Sequence, residues 1–232
     1  MLKLLRPLYN RDWMDTVRIT ELLEPYVGVA NGQRLTTNDL QSISIYIDLL
    51  NRWNSRTNLT AIRNEEEIVT RHFGESLFAA RQLFPLCSSV PTVVKGVEVA
   101  DIGSGAGFPG VPIKLWAPEI SLTLIESNHK KATFLREVAR ALTLTDINII
   151  NVRAEALAGE TFDVVTLRAV ERFDATLSIA ARLVAPGGRL TLLIGSAQYG
   201  SAQAALPTFT WQDPVPIPRS ESRIVALGSR PE

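Results

Sequence analysis

The chain is short of the residues on which several chemistries depend. Among its 232 residues there is one cysteine, Cys87, and only two histidines, His72 and His129, far apart in sequence. A lone cysteine cannot close an internal disulfide, and no histidine and cysteine spacing suits zinc, so no metal site is expected. Cys87 itself is expected to be a buried or half-buried spectator. No stretch approaches the roughly eighteen apolar residues that span a bilayer, and Arg6, Arg11, Asp12 and Asp15 interrupt any apolar leader. These absences predict a cytoplasmic protein with no membrane partner. Neither a G-x-S-x-G elbow nor a P-loop lysine occurs, which removes the serine-hydrolase and nucleotide-hydrolase classes. Asn58-Leu59-Thr60 matches a glycosylation acceptor, a match without weight in a chain that shows no secretory signal. Charge of one sign is missing too: 24 basic residues balance 24 acidic ones, so no global basic footprint announces a polyanion partner.

What is present is concentrated between Val99 and Gly110. A hydrophobic strand there runs into a turn with glycines at positions 103, 105, 107 and 110, and Glu126 ends the next apolar run. Glycines at alternate positions let backbone N–H groups approach a ligand that a Cβ would push away. With Asp101 just before them and Glu126 about twenty residues on, the pattern reads as a nucleotide-type cofactor site. A nicotinamide or flavin fingerprint needs its third glycine where Phe108 stands, and a plain strand-to-helix turn would leave both carboxylates unexplained.

From Val97 onward the hydrophobic pattern predicts a parallel sheet with crossover helices, an α/β fold. Strands are expected at Val97–Ile102, Ser121–Glu126, Ile147–Val152, Phe162–Leu167 and Arg189–Ile194, with a last antiparallel strand at Ile224–Leu227. Helices are expected at Pro109–Trp116, from an Asn128 cap to about Leu142, and at Glu171–Val184. Pro186-Gly187-Gly188 predicts a sharp turn. Before Val97, Leu40, Ile43, Ile47, Leu50 and Trp53 mark one amphipathic helix, and Ile68, His72, Ser76 and Leu77 mark another. The expected organisation is an N-terminal extension over 1–34, a helical cap over 35–95 and a cofactor-binding domain over 96–232, acting as a monomer.

Several separated motifs carry a resemblance. Trp53-Asn54, Asn58-Leu59-Thr60, Arg71-His72-Phe73 with Ser76, Asp101 to Pro112, Lys130-Lys131 with Phe134-Leu135-Arg136, Arg153-Ala154-Glu155 and Leu167-Arg168-Ala169 occur in order. Together they resemble the bacterial small-subunit ribosomal RNA guanine-N7 methyltransferases, also called glucose-inhibited division protein B. The resemblance implies a Rossmann-like class I methyltransferase fold, a seven-stranded, mostly parallel sheet with an antiparallel last strand under a helical N-terminal cap. It implies transfer of a methyl group from S-adenosyl-L-methionine to N7 of a guanine in the decoding-region loop of 16S ribosomal RNA, with that RNA or the small ribosomal subunit as partner. Cofactor contacts are implied for Gly103, Phe108, Ala154, Glu155 and Arg168, with Glu126 on the ribose hydroxyls; Asp101, Gly105 and Gly107 complete the loop. Four positions depart from the family's usual pattern: Glu75, Ile194, and the pair Ser222-Arg223.

Attack by guanine N7 requires no general base, so no catalytic base is assigned. Arg168, at the end of the fourth strand, is the leading residue for orienting substrate or cofactor, against a bland pairing with Glu171. Asn54, Asn58, Arg71, His72 and Arg153 are the RNA-contact candidates, and Trp53 is either core or a stacking platform. Two alternatives stay open: a methyltransferase of the same fold acting on a small molecule or protein, and a noncatalytic protein that binds the cofactor.

Overall fold

The computed structural model describes residues 14–28, 35–85, 94–157, 159–169 and 172–232. Cys87, Glu171, Arg6, Arg11 and Asp12 lie outside these.

Eight strands form one sheet: β1 (Glu98–Ile102), β2 (Ser121–Ile125), β3 (Ile147–Ile150), β4 (Phe162–Arg168), β5 (Val184–Gly195), β6 (Thr210–Trp211), β7 (Val215–Pro216) and β8 (Arg223–Ser229). Their order is β3-β2-β1-β4-β5-β8-β6, with β7 also on β8. The first five strands pair in parallel, and β8 runs antiparallel to β5. Parallel strands covered on both faces read as unbroken apolar runs, which is why Val164, Val165 and Leu167 identified β4 from sequence. The closing hairpin differs from the expectation in one respect: the edge beyond β8 is divided between the two-residue strands β6 and β7. Alternating prolines explain the break, since Pro214, Pro216 and Pro218 each lack a ladder donor.

The Pro186-Gly187-Gly188 turn is also absorbed into a strand. β5 runs through it with a register shift against β4, Gly187 adopts φ +72°, and Arg230 N–H reaches the Gly188 carbonyl. A Cβ on Gly188 would stand 2.9 Å from the Asp163 carbonyl, so the bulge requires glycine there.

Side-chain alternation divides the sheet. Val99, Leu122, Leu124, Val164 and Leu193 face the N-terminal helices together with α5 (Gly110–Trp116) and α6 (His129–Ala141), in one hydrophobic cluster. Ala100, Ile102, Val165, Leu167, Leu190 and Leu192 face α7 (Phe173–Leu183) and α8 (Tyr199–Ala205). Asn128 caps α6 as expected, accepting from the N–H groups of Lys130 and Lys131.

Part of the expected N-terminal extension is a packed helix. Asp15 caps α1 (Thr16–Val27), which buries Ile19, Leu22, Leu23 and Tyr26. Burying such side chains is worth roughly 1.5–3 kcal/mol each as an upper figure. The second helix, α2 (Thr37–Asn54), opens with a capping box between Thr36 and Asp39. Next come α3 (Glu65–Glu67), a π-helical stretch Ile68–Gly74 and α4 (Glu75–Leu83). Tyr26 of α1 lies so close to the π-helical stretch that a Cβ on Gly74 would meet its ring at 2.7 Å. Among the described residues no helix is long and apolar enough to cross a membrane.

Candidate functional site

The carboxyl ends of β1, β2, β3 and β4 converge on one edge of the sheet, where ligands of open α/β folds bind. The turn after β1 uses positive φ at Gly103 (+68°), Gly105 (+56°) and Gly107 (+86°), conformations that side chains resist. These glycines do different things. A Cβ on Gly105 would meet nothing nearer than the Gly103 carbonyl, at 3.7 Å, so the loop leaves open space there. A Cβ on Gly107 would collide with the Tyr46 hydroxyl, which donates to the Ala106 carbonyl. Gly105 therefore faces a vacant approach, and Gly107 faces the helical layer. Glu126, 6% exposed, spans the mouth of the turn: one carboxylate oxygen accepts from Gly105 N–H at 2.8 Å and the other from Asn128 N–H at 2.7 Å.

Asp101 does not take the ligand-facing role expected of it. Its carboxylate, 1% exposed, accepts from the Thr166 hydroxyl at 2.8 Å and from Gly110 N–H at 3.2 Å. It is an internal strut joining β1, β4 and the start of α5. Burial pushes its carboxyl up to about 6, with the Thr166 and Gly110 hydrogen bonds opposing.

Phe108 lies between two rings, His72 at 4.8 Å and Tyr46 at 5.3 Å, with Phe73 edge-on at 5.1 Å. The stack pins the glycine turn to α2 and the π-helical stretch. His72 is held neutral: burial first, then Arg168 and Arg71, bring its imidazole down to about 3. Its Nε2 meets the Thr60 hydroxyl at 2.8 Å, while Nδ1 is buried without a partner.

Arg168 leaves the end of β4, just before Ala169 at φ +48°, a strained setting for a non-glycine residue. It donates to the Arg71 carbonyl and to Glu75 Oε2 at 3.1 Å. Its partner is thus Glu75, 93 positions away, and the Glu171 pairing concerns a residue outside the described ones. Glu75, 2% exposed, also accepts from Arg223 Nε at 2.8 Å. Burial lowers the Arg168 guanidinium's pKa, and Glu75 counteracts it. Arg71, Glu75, Arg168, Gln198 and Arg223 line a cleft of about 240 Å³ whose other walls include Leu167, Phe173, Leu193 and Ile194.

The remaining expected residues divide. Ala154 and Glu155 follow β3 on the short 3-10 turn Ala154–Ala156, and exposed Arg153 precedes them. Asn151 ties this turn to β2 by donating to the Glu126 and Ser127 carbonyls. Asn58 is exposed and accepts from Arg63. Asn54 is not free to meet RNA: it is 8% exposed, accepts from Leu59 and Thr60 N–H and donates to the Thr60 carbonyl, organising the turn after α2. Trp53 is a packing residue, edge-on to Phe134 with its indole N–H on Glu137 at 2.9 Å. Tyr46, Glu75 and Arg223 carry structural duties that sequence reading missed. A lone acid among Gly74, Ser76, Leu77 and Phe78 was the one available signal for Glu75.

This strand order, with its antiparallel β8 and a glycine turn facing an acid at the end of β2, defines the fold of class I S-adenosylmethionine-dependent methyltransferases. A magnesium protoporphyrin IX methyltransferase from Synechocystis, solved with bound SAM, superposes with a TM-score of 0.59 at 16% identity, covering 82% of this chain and 97% of that one. The chain belongs to the GidB family, rRNA small subunit methyltransferase G, whose model matches residues 39–212. Its relatives include the ribosomal RNA small subunit methyltransferase G of Roseiflexus castenholzii, 37% identical over 208 residues, 84% of this chain and 85% of that protein. The protein of the same name from Desulfitobacterium hafniense is 39% identical over 167 residues, 70% of this chain and 65% of the relative's length.

Proposed function

We propose that this chain transfers the methyl group of S-adenosyl-L-methionine to N7 of a guanine in the decoding-region loop of 16S ribosomal RNA, acting in the cytoplasm as a monomer. The observation that carries the reading is the family match over 39–212, which takes in the glycine turn and the cleft residues Arg71, Glu75 and Arg168. The residues fit the cofactor: Gly105 leaves open space where backbone must approach a ligand, and Glu126 lies beside it at the end of β2. When bound, the cofactor supplies an electrophilic sulfonium methyl.

In this reading Gly103, Gly105 and Phe108 form the floor, Glu126 holds the ribose hydroxyls, and Ala154 and Glu155 border the adenine. Arg168 orients cofactor or acceptor, while the helices over 35–95 roof the site. Guanine N7 offers an in-plane lone pair and loses no proton, so the chain's task is alignment, which can supply roughly 7–11 kcal/mol. A neutral His72 agrees with this: it offers no imidazolium acid and adds no cation beside Arg168 and Arg71.

The test is a methyl-transfer assay with labelled S-adenosylmethionine on small ribosomal subunits from cells lacking this gene. Label recovered as N7-methylguanine at one position supports the reading. Label on a protein or small molecule, with none on RNA, overturns it.

A further inference from the structure

The cleft at the ends of β4 and β5 has more cation than the fold uses. Three guanidinium groups, Arg71, Arg168 and Arg223, line it with one carboxylate, Glu75. Glu75 uses both its oxygens to hold Arg168 and Arg223 on either side of itself, at 3.1 and 2.8 Å. Arg71 makes an i,i+4 pair with Glu67, both about half exposed and weak on that account. Among the described residues four buried side-chain polar atoms have no hydrogen-bond partner, and two of them, Arg168 Nη1 and Arg71 Nε, belong to residues that line this cleft. Unmatched buried donors beside a surplus of positive charge mark a place for an anion. The apolar walls strengthen its attraction.

Position in the sheet indicates which anion. Arg223 pairs in register with Gly195 at the end of β5. Its strand, β8, is three places from β1 in the sheet order, roughly 14 Å at ordinary strand spacing. The Arg223 side of the cleft therefore lies beyond the glycine turn, on the acceptor side, with Arg168, at the end of β4 beside β1, between the two. Forked guanidinium groups suit the tetrahedral oxygens of a phosphodiester.

We propose that Arg223, Arg168 and Arg71 form a subsite for one backbone phosphate of the acceptor RNA, with Glu75 as its positioning carboxylate, a role that presupposes the RNA methyltransferase reading above. Arg223 is 33% exposed against 12% for Arg168 and 2% for Glu75, so it is the arm that can be altered with least damage to the fold.

The experiment measures binding of the full chain to small ribosomal subunits from cells lacking this gene over a salt series, beside calorimetry with S-adenosylmethionine. Arg223→Gln should weaken subunit binding about tenfold and flatten the slope of log K against log salt by about 0.7, the contribution of one phosphate contact. KM for subunits should rise with kcat and cofactor affinity unchanged. Arg223→Lys should keep the slope and recover part of the affinity, an outcome that a merely structural role would not produce. An unchanged slope in Arg223→Gln overturns the subsite. Loss of cofactor affinity with the slope intact also overturns it, and assigns the cleft to the cofactor's carboxylate. If the unaltered chain shows no salt-dependent binding to subunits, the RNA reading itself fails; a failed subsite alone leaves that binding in place.

Discussion

At one end of the site, around the glycine turn, the carboxylates and the Tyr46 hydroxyl are matched inside the protein. Gly105 N–H meets Glu126, Asp101 meets Thr166 and Gly110, and Tyr46 meets the Ala106 carbonyl. At the other end, Arg168 and Arg223 share Glu75, Arg71 lines the same cleft, and buried donors of Arg168 and Arg71 are left unpaired. Both ends stand on the same sheet edge, yet one is a pre-shaped cradle and the other is an electrostatic surplus. The difference follows from what each must recognise. A cofactor of fixed shape is best met by a rigid turn with little reorganisation, whereas a polyanion is drawn by unneutralised charge. It also explains how a chain of zero formal net charge can act on RNA: the basic character is local.

The comparison can be broken most forcefully within the glycine turn itself. Gly107→Ala should cost about 3–5 kcal/mol of stability or abolish folding, because its Cβ enters the Tyr46 hydroxyl. Gly105→Ala should stay folded, at a cost of about 1–2 kcal/mol from its positive φ, and lose cofactor affinity at least tenfold by calorimetry, since its Cβ enters the open approach. Equal stability losses with equal binding would mean that the turn is packing alone.

At the arginine end, Glu75→Gln should lower stability by about 3–5 kcal/mol in denaturant titration, because two arginines, one of them buried, lose their common counter-charge. A loss below about 1 kcal/mol would show that the arginines do not depend on Glu75.

Two buried groups beside the glycine turn titrate in opposite senses. Asp101 has a carboxyl raised to about 6 from 3.8, so its contribution to stability is full below pH 3.8 and is lost as pH rises toward 6. His72 is lowered to about 3 from 6.5, so its contribution is full above pH 6.5 and is lost as pH falls toward 3. Between about pH 4 and 6 the two nearly cancel. Relative to the unaltered chain, Asp101→Asn should therefore add a rise of about 1.4 kcal/mol per pH unit over this window, and His72→Gln a fall of the same slope. Parallel pH profiles for the two variants would contradict both assignments.

The smallest effect is expected at Trp53, where Trp53→Phe should cost about 0.5–1.5 kcal/mol for the lost bond to Glu137 and leave RNA affinity unchanged. A loss of RNA affinity instead would restore Trp53 as a stacking platform.

How legible each end was in sequence follows the same division. The glycine turn, Glu126 and the parallel strands are local signals: a run of apolar residues, a glycine pattern and an acid at the next strand's end. Most strand limits differed by one or two residues, as at β3, expected to reach Val152 and ending at Ile150, but β5 begins at Val184 where Arg189 was expected, because the strand runs on through the Pro186-Gly187-Gly188 bulge. The arginine end depends on contacts between distant positions, Glu75 with Arg168 and Arg223, and no spacing rule brings β8 back to α4. Helix α1 is different again. Asp15 as cap, with Ile19, Leu22, Leu23 and Tyr26 at helical spacing and Gly28 after the end, was there to be read. Pro25 within that run weakened the pattern. Asn54 shows the opposite hazard, since a polar residue beside other polar residues looked exposed and proved to be bound to its own backbone turn.

The most direct test of the central claim is reverse-transcription mapping of N7-methylguanine in 16S ribosomal RNA from cells lacking this gene and from complemented cells. The account predicts one modified guanine, in the decoding-region loop, that disappears on deletion and returns with the gene. An identical pattern in both strains would contradict it, leaving the class I fold in place with a different acceptor.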